Sequence, residues 1–348
     1  MNSQQIKIGY WPYHAFLSVP GDRRRFVFYA NERKINFEIA SAKKQYDVLY
    51  LTAGCDITAW LRYKKKYPGT KIIFELIDSY LLEDHNLFGL LRGPARFFGK
   101  KESGFYLNYR RAILSMVKKA DAIVCSTPIQ RDFMLPLNNN IHISLDYFEE
   151  DILCKKKEYS VTGKLKIVWE GQAYTVSNLL CINPALEKLK DKVELYVITD
   201  PVAKFPLKIF NKKTEAILKK LKCPWHFFNW QKETFTEIIA GADLAIIPIN
   251  QADKLMWNKP ENKLLLFWQT GIPVLTSATP AYKRVMQKAG IDMYCSSDRD
   301  WIDQIERFAE LKNADRVSIT EKAKEYINAT HTREIICKNW DKIFGSVM

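Results

Sequence analysis

The chain has 348 residues, of which 47% are hydrophobic and 26% charged, with 14 glycines and 14 prolines. This composition is that of a folded protein of about two domains, and it excludes a collagen-like or disordered chain. The 53 Lys and Arg against 39 Asp and Glu give a formal charge of +14, which indicates an anionic partner such as nucleic acid, an acidic membrane face or a phosphorylated substrate.

Several classes of protein are excluded by what the sequence lacks. The apolar run over residues 244–247 stops at Pro248, whereas a membrane-spanning helix needs about 18 or more apolar residues. The first residues, MNSQQIKIGYW, lack the basic and then apolar order of a signal peptide. The seven cysteines form no C-x-x-C pair, and the five histidines form no H-x-H or H-x-x-x-H pair. We therefore expect a cytoplasmic protein without a disulfide scaffold or a metal.

In the first half of the chain, short apolar runs alternate with segments that have the pattern of helices. Strands are predicted over residues 6–11, 36–40, 47–52, 71–77 and 121–126, and helices over 23–34 and 56–67. Nearly continuous apolar strands that alternate with helices are typical of a parallel sheet covered on both faces.

The second half repeats this alternation after a charged, loop-like segment over residues 154–163. Strands are predicted over 164–169, 193–199, 226–228, 242–248 and 273–276, and helices over 177–189, 234–240 and 323–344. We therefore predict an α/β fold with two doubly wound, Rossmann-like domains, residues 1–160 and 161–330. Ligands of open α/β sheets bind at the carboxyl ends of the strands, so two such domains facing a central cleft suit a reaction between two bound substrates.

The strongest local signal lies over residues 258–274, NKPENKLLLFWQTGIPV. It reads as a polar loop, a short helix that begins near Asn262, a glycine stop and a buried strand. The N–H groups and the positive dipole end at the start of a helix favour a phosphate, and Lys263 adds a mobile full charge. The segment therefore predicts a phosphate-binding turn.

This segment resembles the donor-binding segment of GT-B glycosyltransferases related to family 4, whose pattern is roughly P-N-K-L-x-E-x-x-A-x-G-x-P-V. Three further segments resemble that family in order and spacing. They are residues 167–171, similar to the first strand and glycine turn of the family's C-terminal domain, residues 228–230, similar to the loop beside the nucleotide base, and residues 240–248, similar to the strand before the donor loop. The resemblance covers most of residues 164–290, and over residues 1–150 it is one of topology.

The resemblance implies a GT-B fold and a glycosyltransferase that uses a nucleotide sugar, without a metal or another cofactor. It implies that residues 331–348 end a C-terminal helix that packs back on the N-terminal domain. The acceptor, a glycan or a lipid-linked glycan of a bacterial surface, would bind the N-terminal domain. The donor would contact Gly171, Gln172, Asn229, Trp230, Lys259, Glu261, Asn262 and Lys263. Lys263 would also be catalytic, because its charge offsets the charge that develops on the leaving group.

Two positions depart from the family's pattern. The family carries a glutamate that accepts hydrogen bonds from the donor ribose five residues before the glycine, and this chain has Leu266 there. The partner acidic position, eight residues earlier, is Asn258, and Glu261 is out of register. The departure leaves open a retaining reaction, an inverting reaction, an unusual donor such as a CMP-linked acid sugar, and a protein that has lost activity and serves as a scaffold.

The segment over residues 20–26, PGDRRRF, stands where many family members have a Gly-Gly turn after the first strand. Arginine binds phosphate or carboxylate through two parallel hydrogen bonds. Gly21, Arg23, Arg24 and Arg25 are therefore candidates for binding the acceptor or a phosphate. The alternative is a solvated helix start, because adjacent residues of a helix cannot all face one way.

Asp78 follows the strand predicted over residues 71–77, where that strand meets the cleft. A carboxylate there can act as the general base toward an acceptor hydroxyl, so Asp78 is a candidate catalytic residue. The alternative is a helix N-cap, because Asp followed by Ser also suits a helix start.

The stretch over residues 87–119 mixes cations with large apolar side chains. Its cations are Arg92, Arg96, Lys100, Lys101, Arg110, Arg111, Lys118 and Lys119, against Glu102 alone. Such a mixture fits peripheral docking on the inner face of an anionic membrane, where a lipid-linked acceptor would lie. The alternative is a helix packed on the sheet with a solvated cationic face.

A nucleic-acid-binding protein is the alternative that the charge of +14 suggests. The sequence has no recognition-helix, RRM or KH signature, so we expect no nucleic-acid partner.

Overall fold

The computed structural model describes residues 6–82, 87–99, 101–204 and 211–348, with the backbone alone over residues 87–92. The chain forms two compact units. The first consists of Met1–Tyr147, Asn258–Pro260 and Thr332–Met348, and the second of Phe148–Trp257 and Glu261–His331. The first division thus follows Tyr147, whereas the sequence placed a boundary at residue 160.

A parallel sheet forms the centre of the first unit. Its strands are β1 (Ile8–Trp11), β2 (Phe37–Ile39), β3 (Val48–Thr52), β4 (Lys71–Leu76), β5 (Ala122–Cys125) and β6 (Ile141–Ile143), in the spatial order β2-β1-β3-β4-β5-β6. Its helices before residue 148 are α1 (Pro20–Arg23), α2 (Phe26–Glu32), α3 (Ile57–Lys66), α4 (Leu87–Phe98), α5 (Tyr109–Lys119) and α6 (Pro128–Met134). Every residue of β3 and β5 is buried, because helices cover both faces of the sheet.

The second unit repeats the design. After a 3-10 turn (Glu149–Asp151), its strands are β7 (Leu165–Glu170), β8 (Val193–Thr199), β9 (Val202–Ala203), β10 (Lys212–Lys213), β11 (Trp225–Asn229), β12 (Leu244–Ile247), β13 (Val274–Ser277) and β14 (Tyr294–Cys295). The main sheet has the parallel order β11-β8-β7-β12-β13-β14, and β9 and β10 pair separately. The helical segments are a 3-10 helix (Ala173–Ile182), α7 (Asn183–Lys188), α8 (Thr214–Leu218), α9 (Phe235–Gly241), α10 (Lys254–Trp257), α11 (Asn262–Gln269), α12 (Pro280–Lys288), α13 (Asp298–Glu310) and α14 (Asn313–Thr330).

These two doubly wound sheets confirm the predicted α/β class and most of the predicted elements. The short strands β6, β9, β10 and β14 were not predicted, because runs of two or three residues carry little periodicity.

Three predicted helices have different bounds. The helix expected over 23–34 is broken between α1 and α2, where Arg25 has φ −128° and ψ −112°. The helix expected over 177–189 is a 3-10 helix followed by α7, because Pro184 cannot donate within a continuous α-helix. The helix expected over 323–344 is two helices, α14 and α15 (Arg333–Gly345), and the Thr332 side chain caps the second.

Helix α15 completes the core of the first unit. Trp340 and Phe344 are buried and stack on Tyr29 with ring centroids 5.7 and 5.4 Å away. Phe344 also stacks on Phe26, at 5.6 Å. The end of the chain therefore belongs to the core of the unit that its beginning forms.

Candidate functional site

Loops at the carboxyl ends of three neighbouring strands meet in the second unit. β7 pairs with β8, and β8 pairs with β11, each in parallel. The Gly171 N–H donates to the Ile198 carbonyl at 3.2 Å, and the Trp230 N–H donates to the Thr199 carbonyl at 3.1 Å. This is the edge of an open α/β sheet at which ligands bind. We therefore take it as the candidate site of the second unit.

Lys263 reaches this edge from the first turn of α11. Its Nζ donates to the Glu170 carbonyl at 2.5 Å and lies 5.0 Å from the centroid of the Trp169 ring. A Cβ on residue 171 would lie 2.5 Å from that Nζ and 2.9 Å from the Trp169 ring, so a larger residue at this position would displace the lysine. The structure thus brings together Lys263 and Gly171, which the sequence placed in separate segments of one site.

Gln172, Asn229 and Trp230 lie on the loops of the same edge. Gln172 and Asn229 are exposed. The Trp230 ring stacks on Phe235, with centroids 5.3 Å apart and planes at 28°. The two polar side chains are therefore accessible to a ligand, while the tryptophan also packs on α9.

Glu261 has a different environment from the one expected for a donor ligand. It is the residue before α11, and its side chain makes no capping hydrogen bond to that helix. Its carboxylate Oε1 instead accepts from the Nη2 of Arg284, on α12, at 2.6 Å, and the side chain is 7% exposed. Oε2 is buried and has no hydrogen-bond partner among the described residues. This placement argues against direct contact between Glu261 and the donor.

The two departures from the family's pattern have clear places in the structure. Leu266 is 4% exposed, within a run of buried residues on α11. Asn258 belongs to the first unit, where its carbonyl accepts from the Ser79 hydroxyl at 2.8 Å. Neither position presents a carboxylate, and Leu266 serves packing.

Arg25, expected to bind an anionic ligand, is fully buried in the first unit. Its Nε donates to the Glu75 carboxylate at 2.5 Å, and its Nη1 donates to Asp146 at 3.1 Å and to the Ser144 carbonyl at 3.0 Å. Burial lowers the pKa of Arg25, but the two carboxylates outweigh it and raise that pKa above its ordinary value. The pKa of Glu75 is raised by burial, which Arg25 opposes. This arrangement corrects the expectation for Arg25, because its charge is already neutralised inside the unit.

Gly21, Arg23 and Arg24 lie closer to the surface. A Cβ on Gly21 would approach the Tyr13 ring to 2.8 Å, so this glycine serves packing of the loop after β1. The Nε of Arg23 donates to the Ser18 carbonyl at 3.2 Å. Both arginines are partly exposed, and they stay candidates for an anionic ligand.

Asp22, which the sequence did not single out, anchors that same loop. Its buried carboxylate accepts from the Tyr10 hydroxyl at 2.5 Å and from the N–H groups of Tyr13 and His14 at 2.8 and 3.0 Å. In the sequence it looks like an ordinary acidic residue at a helix start, so no local signal distinguishes it.

Asp78 follows β4 at the carboxyl edge of the first sheet, as predicted. Its side chain is 35% exposed, Oδ2 accepts from the Tyr80 hydroxyl at 3.1 Å, and Oδ1 lies 3.5 Å from the Lys259 Nζ. Both residues of this ion pair belong to the first unit. The structure thus brings a candidate base next to a candidate donor-binding cation.

Among the described side chains within 87–119, three large apolar ones are exposed. Phe98, Phe105 and Leu107 are 77%, 53% and 72% exposed, and Phe97 lies 5.4 Å from Phe105 between ring centroids. Arg96 instead turns inward, where it donates to the Cys55 carbonyl at 2.8 Å.

The remaining cations of this stretch differ in their exposure to solvent. Lys101, Arg111, Lys118 and Lys119 are exposed. Arg110 is partly buried, 5.2 Å from the Phe133 ring. The side chain of Arg92 and all of Lys100 lie outside the described residues.

The described residues bear on metal and membrane binding in two ways. Over residues 6–82, 87–99, 101–204 and 211–348, no group of three or more His, Cys, Asp or Glu side chains converges as a set of metal ligands. No helix in this part of the chain combines the length and the apolar character needed to cross a bilayer.

Comparison with known proteins identifies the fold. No protein-family model matches the sequence, and no curated protein matches it by sequence. Solved structures do match. The Anabaena protein HepE, in a complex with UDP and glucose, has a TM-score of 0.64 at 11% identity, with 98% of this chain and 100% of that chain covered. The fold is GT-B.

Two further structures agree with that assignment. WaaG, a glycosyltransferase involved in lipopolysaccharide biosynthesis, has a TM-score of 0.57 at 14% identity, over 97% of this chain and 99% of that one. TarM has a TM-score of 0.59 at 12% identity over 85% of this chain, which spans 54% of the TarM chain. At identities this low, the likeness establishes the fold alone. The GT-B fold that the sequence resemblance implied is confirmed.

Proposed function

We propose that this protein is a glycosyltransferase that moves a sugar from a nucleotide-sugar donor to a glycan or glycolipid acceptor. The observation that carries the proposal is the position of Lys263, whose Nζ lies beside Gly171 at the carboxyl end of β7. A cation, the N-terminus of α11 and a glycine that admits close backbone approach together fit a diphosphate. The UDP in the HepE complex, a protein of the same fold, supports a nucleoside diphosphate as the leaving group.

In this proposal the cationic and the polar or aromatic residues of the donor site have different roles. In the transfer, the bond between the anomeric carbon and the diphosphate oxygen breaks, and its electron pair stays on the diphosphate. Lys263 stabilises that developing charge, with the N-terminus of α11 beginning at Asn262. Gln172 and Asn229 present polar groups, and Trp230 an aromatic surface, for the nucleoside and the sugar. In this scheme the cations of the chain perform the charge stabilisation without a metal.

Asp78 is our candidate for the base in the first unit. The acceptor hydroxyl oxygen forms the new bond to the anomeric carbon, and its proton passes to the Asp78 carboxylate in an inverting reaction. The 35% exposure of this side chain and its position at a strand end support the role. Lys259 and the partly exposed Arg23 and Arg24 would bind anionic groups nearby. NMR analysis of the product anomer distinguishes inversion from retention.

We further propose a surface glycan of bacteria as the acceptor and the inner face of the membrane as the place of reaction. The involvement of WaaG in lipopolysaccharide biosynthesis supports the first idea. The exposed Phe98, Phe105 and Leu107, together with exposed cations of the same stretch such as Lys101 and Arg111, support the second. The protein should sediment with vesicles that contain anionic lipid and not with neutral vesicles. A variant with alanine at all three positions should lose that binding.

Thermal unfolding with UDP, GDP, dTDP, CDP and CMP tests the donor class. A ligand at 100 times its dissociation constant adds about 2.7 kcal/mol to the free energy of unfolding. One nucleotide should raise the unfolding temperature well above the effect of the others. Lys263→Ala should abolish the shift, whereas Lys192→Ala should keep it, because Lys192 precedes β8 at the opposite edge of the sheet and pairs with Glu306.

Two results would overturn this proposal. The first is the absence of a shift with every nucleotide, which favours a scaffold that has lost activity. The second is tight, salt-dependent binding to random DNA at physiological ionic strength, which favours a nucleic-acid-binding protein.

A further inference from the structure

An ion pair lies directly before the proposed diphosphate-binding turn. Glu261 precedes α11, and Arg284 projects from α12, which follows β13. The Arg284 Nη2 donates to the Glu261 Oε1 at 2.6 Å, and the two side chains are 28% and 7% exposed. The second carboxylate oxygen, Oε2, is buried without a hydrogen-bond partner among the described residues. Arg284 is therefore the charged partner of an otherwise poorly satisfied carboxylate.

The position of Glu261 makes this pairing consequential for an anion site. A carboxylate at the N-cap position is normally attracted to the positive end of its own helix. Glu261 makes no such capping bond. The bond to Arg284 explains why, because it draws the carboxylate toward α12 and cancels its charge.

The charge of Glu261 also affects the pKa of two tyrosines on the helices packed against it. Burial first, and then the Glu261 charge, raises the pKa of Tyr282, on α12, and of Tyr326, on α14. Glu261 therefore lies in the contact between α11, α12 and α14, a place that a carboxylate occupies at low cost only when it is paired.

We propose that Arg284 is a positioning residue for the donor site, which holds the Glu261 carboxylate away from the N-terminus of α11 and so keeps that helix end available to the donor diphosphate. The proposal rests on the proposed function of the α11 turn. Without Arg284, the carboxylate loses its partner and turns to the N–H groups of α11. There it competes with the ligand both by occupying the donors and by like charge.

The test compares UDP with uridine, which has the same base and ribose but no phosphate. Both are titrated by calorimetry into the full chain as wild type, Arg284→Ala, Arg284→Lys, Glu261→Ala and Glu261→Ala/Arg284→Ala. Lys288→Ala is the matched control, because it removes an equal charge from the exposed surface of the same helix.

The proposal predicts a specific pattern of affinities of these variants for UDP and uridine. Arg284→Ala should weaken UDP binding on the order of tenfold, because the Glu261 carboxylate then keeps its negative charge without a cationic partner next to the diphosphate. It should leave uridine binding unchanged. The Glu261→Ala/Arg284→Ala variant should bind UDP as Glu261→Ala does, because no carboxylate is left to compete. Arg284→Lys should retain most of the affinity, and Lys288→Ala all of it.

Each remaining outcome is decisive. If the wild type binds UDP and Arg284→Ala binds it equally tightly, the positioning role is overturned and the proposed function stays intact. Equal losses of UDP and uridine binding indicate a general disruption of the unit, and also overturn it. A double variant as weak as Arg284→Ala indicates that Arg284 touches the diphosphate directly. If the wild type binds neither UDP nor any of the other four nucleotides, the proposed function fails first. If Arg284→Ala does not fold, Arg284→Gln replaces it, because glutamine keeps much of the side chain and removes its charge. Arg284→Gln should then bind UDP more weakly than the wild type and uridine equally well, and a wild-type affinity for UDP overturns the positioning role.

Discussion

Replacing Gly171 by alanine should damage the candidate donor site in a way that the structure quantifies. The new Cβ would lie 2.5 Å from the Lys263 Nζ and 2.9 and 3.0 Å from two ring atoms of Trp169. Trp169 is 2% exposed and has little room to move. The flexible Lys263 side chain must therefore yield and lose its bond to the Glu170 carbonyl. Overpacking of this kind costs about 1–3 kcal/mol.

Two measurements follow from that geometry. In thermal unfolding, Gly171→Ala should lower the transition of the second unit by about 2–12 °C, at about 2–4 °C per kcal/mol for a unit of this size. The affinity for UDP should fall about tenfold to hundredfold. The displaced Lys263 ammonium no longer makes its charge-assisted hydrogen bond to the diphosphate, and such a bond contributes about 1.5–3 kcal/mol.

The matched control is Gly241→Ala. A Cβ there meets nothing within 4 Å, and the residue ends α9, so alanine should be neutral or slightly stabilising. If Gly171→Ala unfolds at the wild-type temperature and binds UDP as tightly as the wild type, Lys263 does not occupy the place assigned to it.

Three further predictions concern the first unit. Glu75→Gln should cost about 3–5 kcal/mol in urea unfolding, because it leaves the buried Arg25 short of a charge partner, and a smaller loss for Arg25→Met/Glu75→Leu would confirm that the unpaired charge is the cause. Trp340→Ala should cost about 3–5 kcal/mol, since this buried ring stacks on Tyr29; an unfolding curve like that of the wild type would show that α15 is not part of the core. Burial, and then the Asp56 carboxyl, raises the pKa of Glu102 to about 7 from 4.5. The folded state therefore binds this proton more tightly, and the stability that protonation provides is complete below pH 4.5 and lost as the pH rises through about 7. In melts from pH 4.5 to 8, Glu102→Gln should remove this part of the pH dependence, and an unchanged profile would contradict the assignment.

The architecture was readable from the sequence because it depends on periodicity. Apolar runs such as Val193–Thr199 have the length and the composition of a strand, so their prediction needs only the residues of the run itself. The breaks within helices were less predictable. The break lies at Arg25, whose side chain pairs with the buried Glu75, fifty residues away, and the residues next to Arg25 in the sequence give no signal of that contact.

The candidate site divides in the same way. Lys263 was predicted from local chemistry, since a lysine in the first turn of a helix favours a phosphate, whereas Gly171 was predicted from the resemblance of residues 167–171 to the glycine turn of the GT-B family. Asp22 was missed because its three partners come from β1 and the loop after it, and their approach is a consequence of folding. The same holds for Arg284.

The sequence by itself therefore determined the α/β class, the order of most strands and helices, and the residues that could serve a phosphate. The tertiary structure decided which of these charges are already neutralised by partners within the protein. Arg25 and Glu261 both looked like ligand-binding residues, and each is neutralised by a partner distant in the chain. Local patterns fix the chemistry that a side chain offers. Its availability depends on long-range contacts, because the free energy of a buried charge is set by what packs against it.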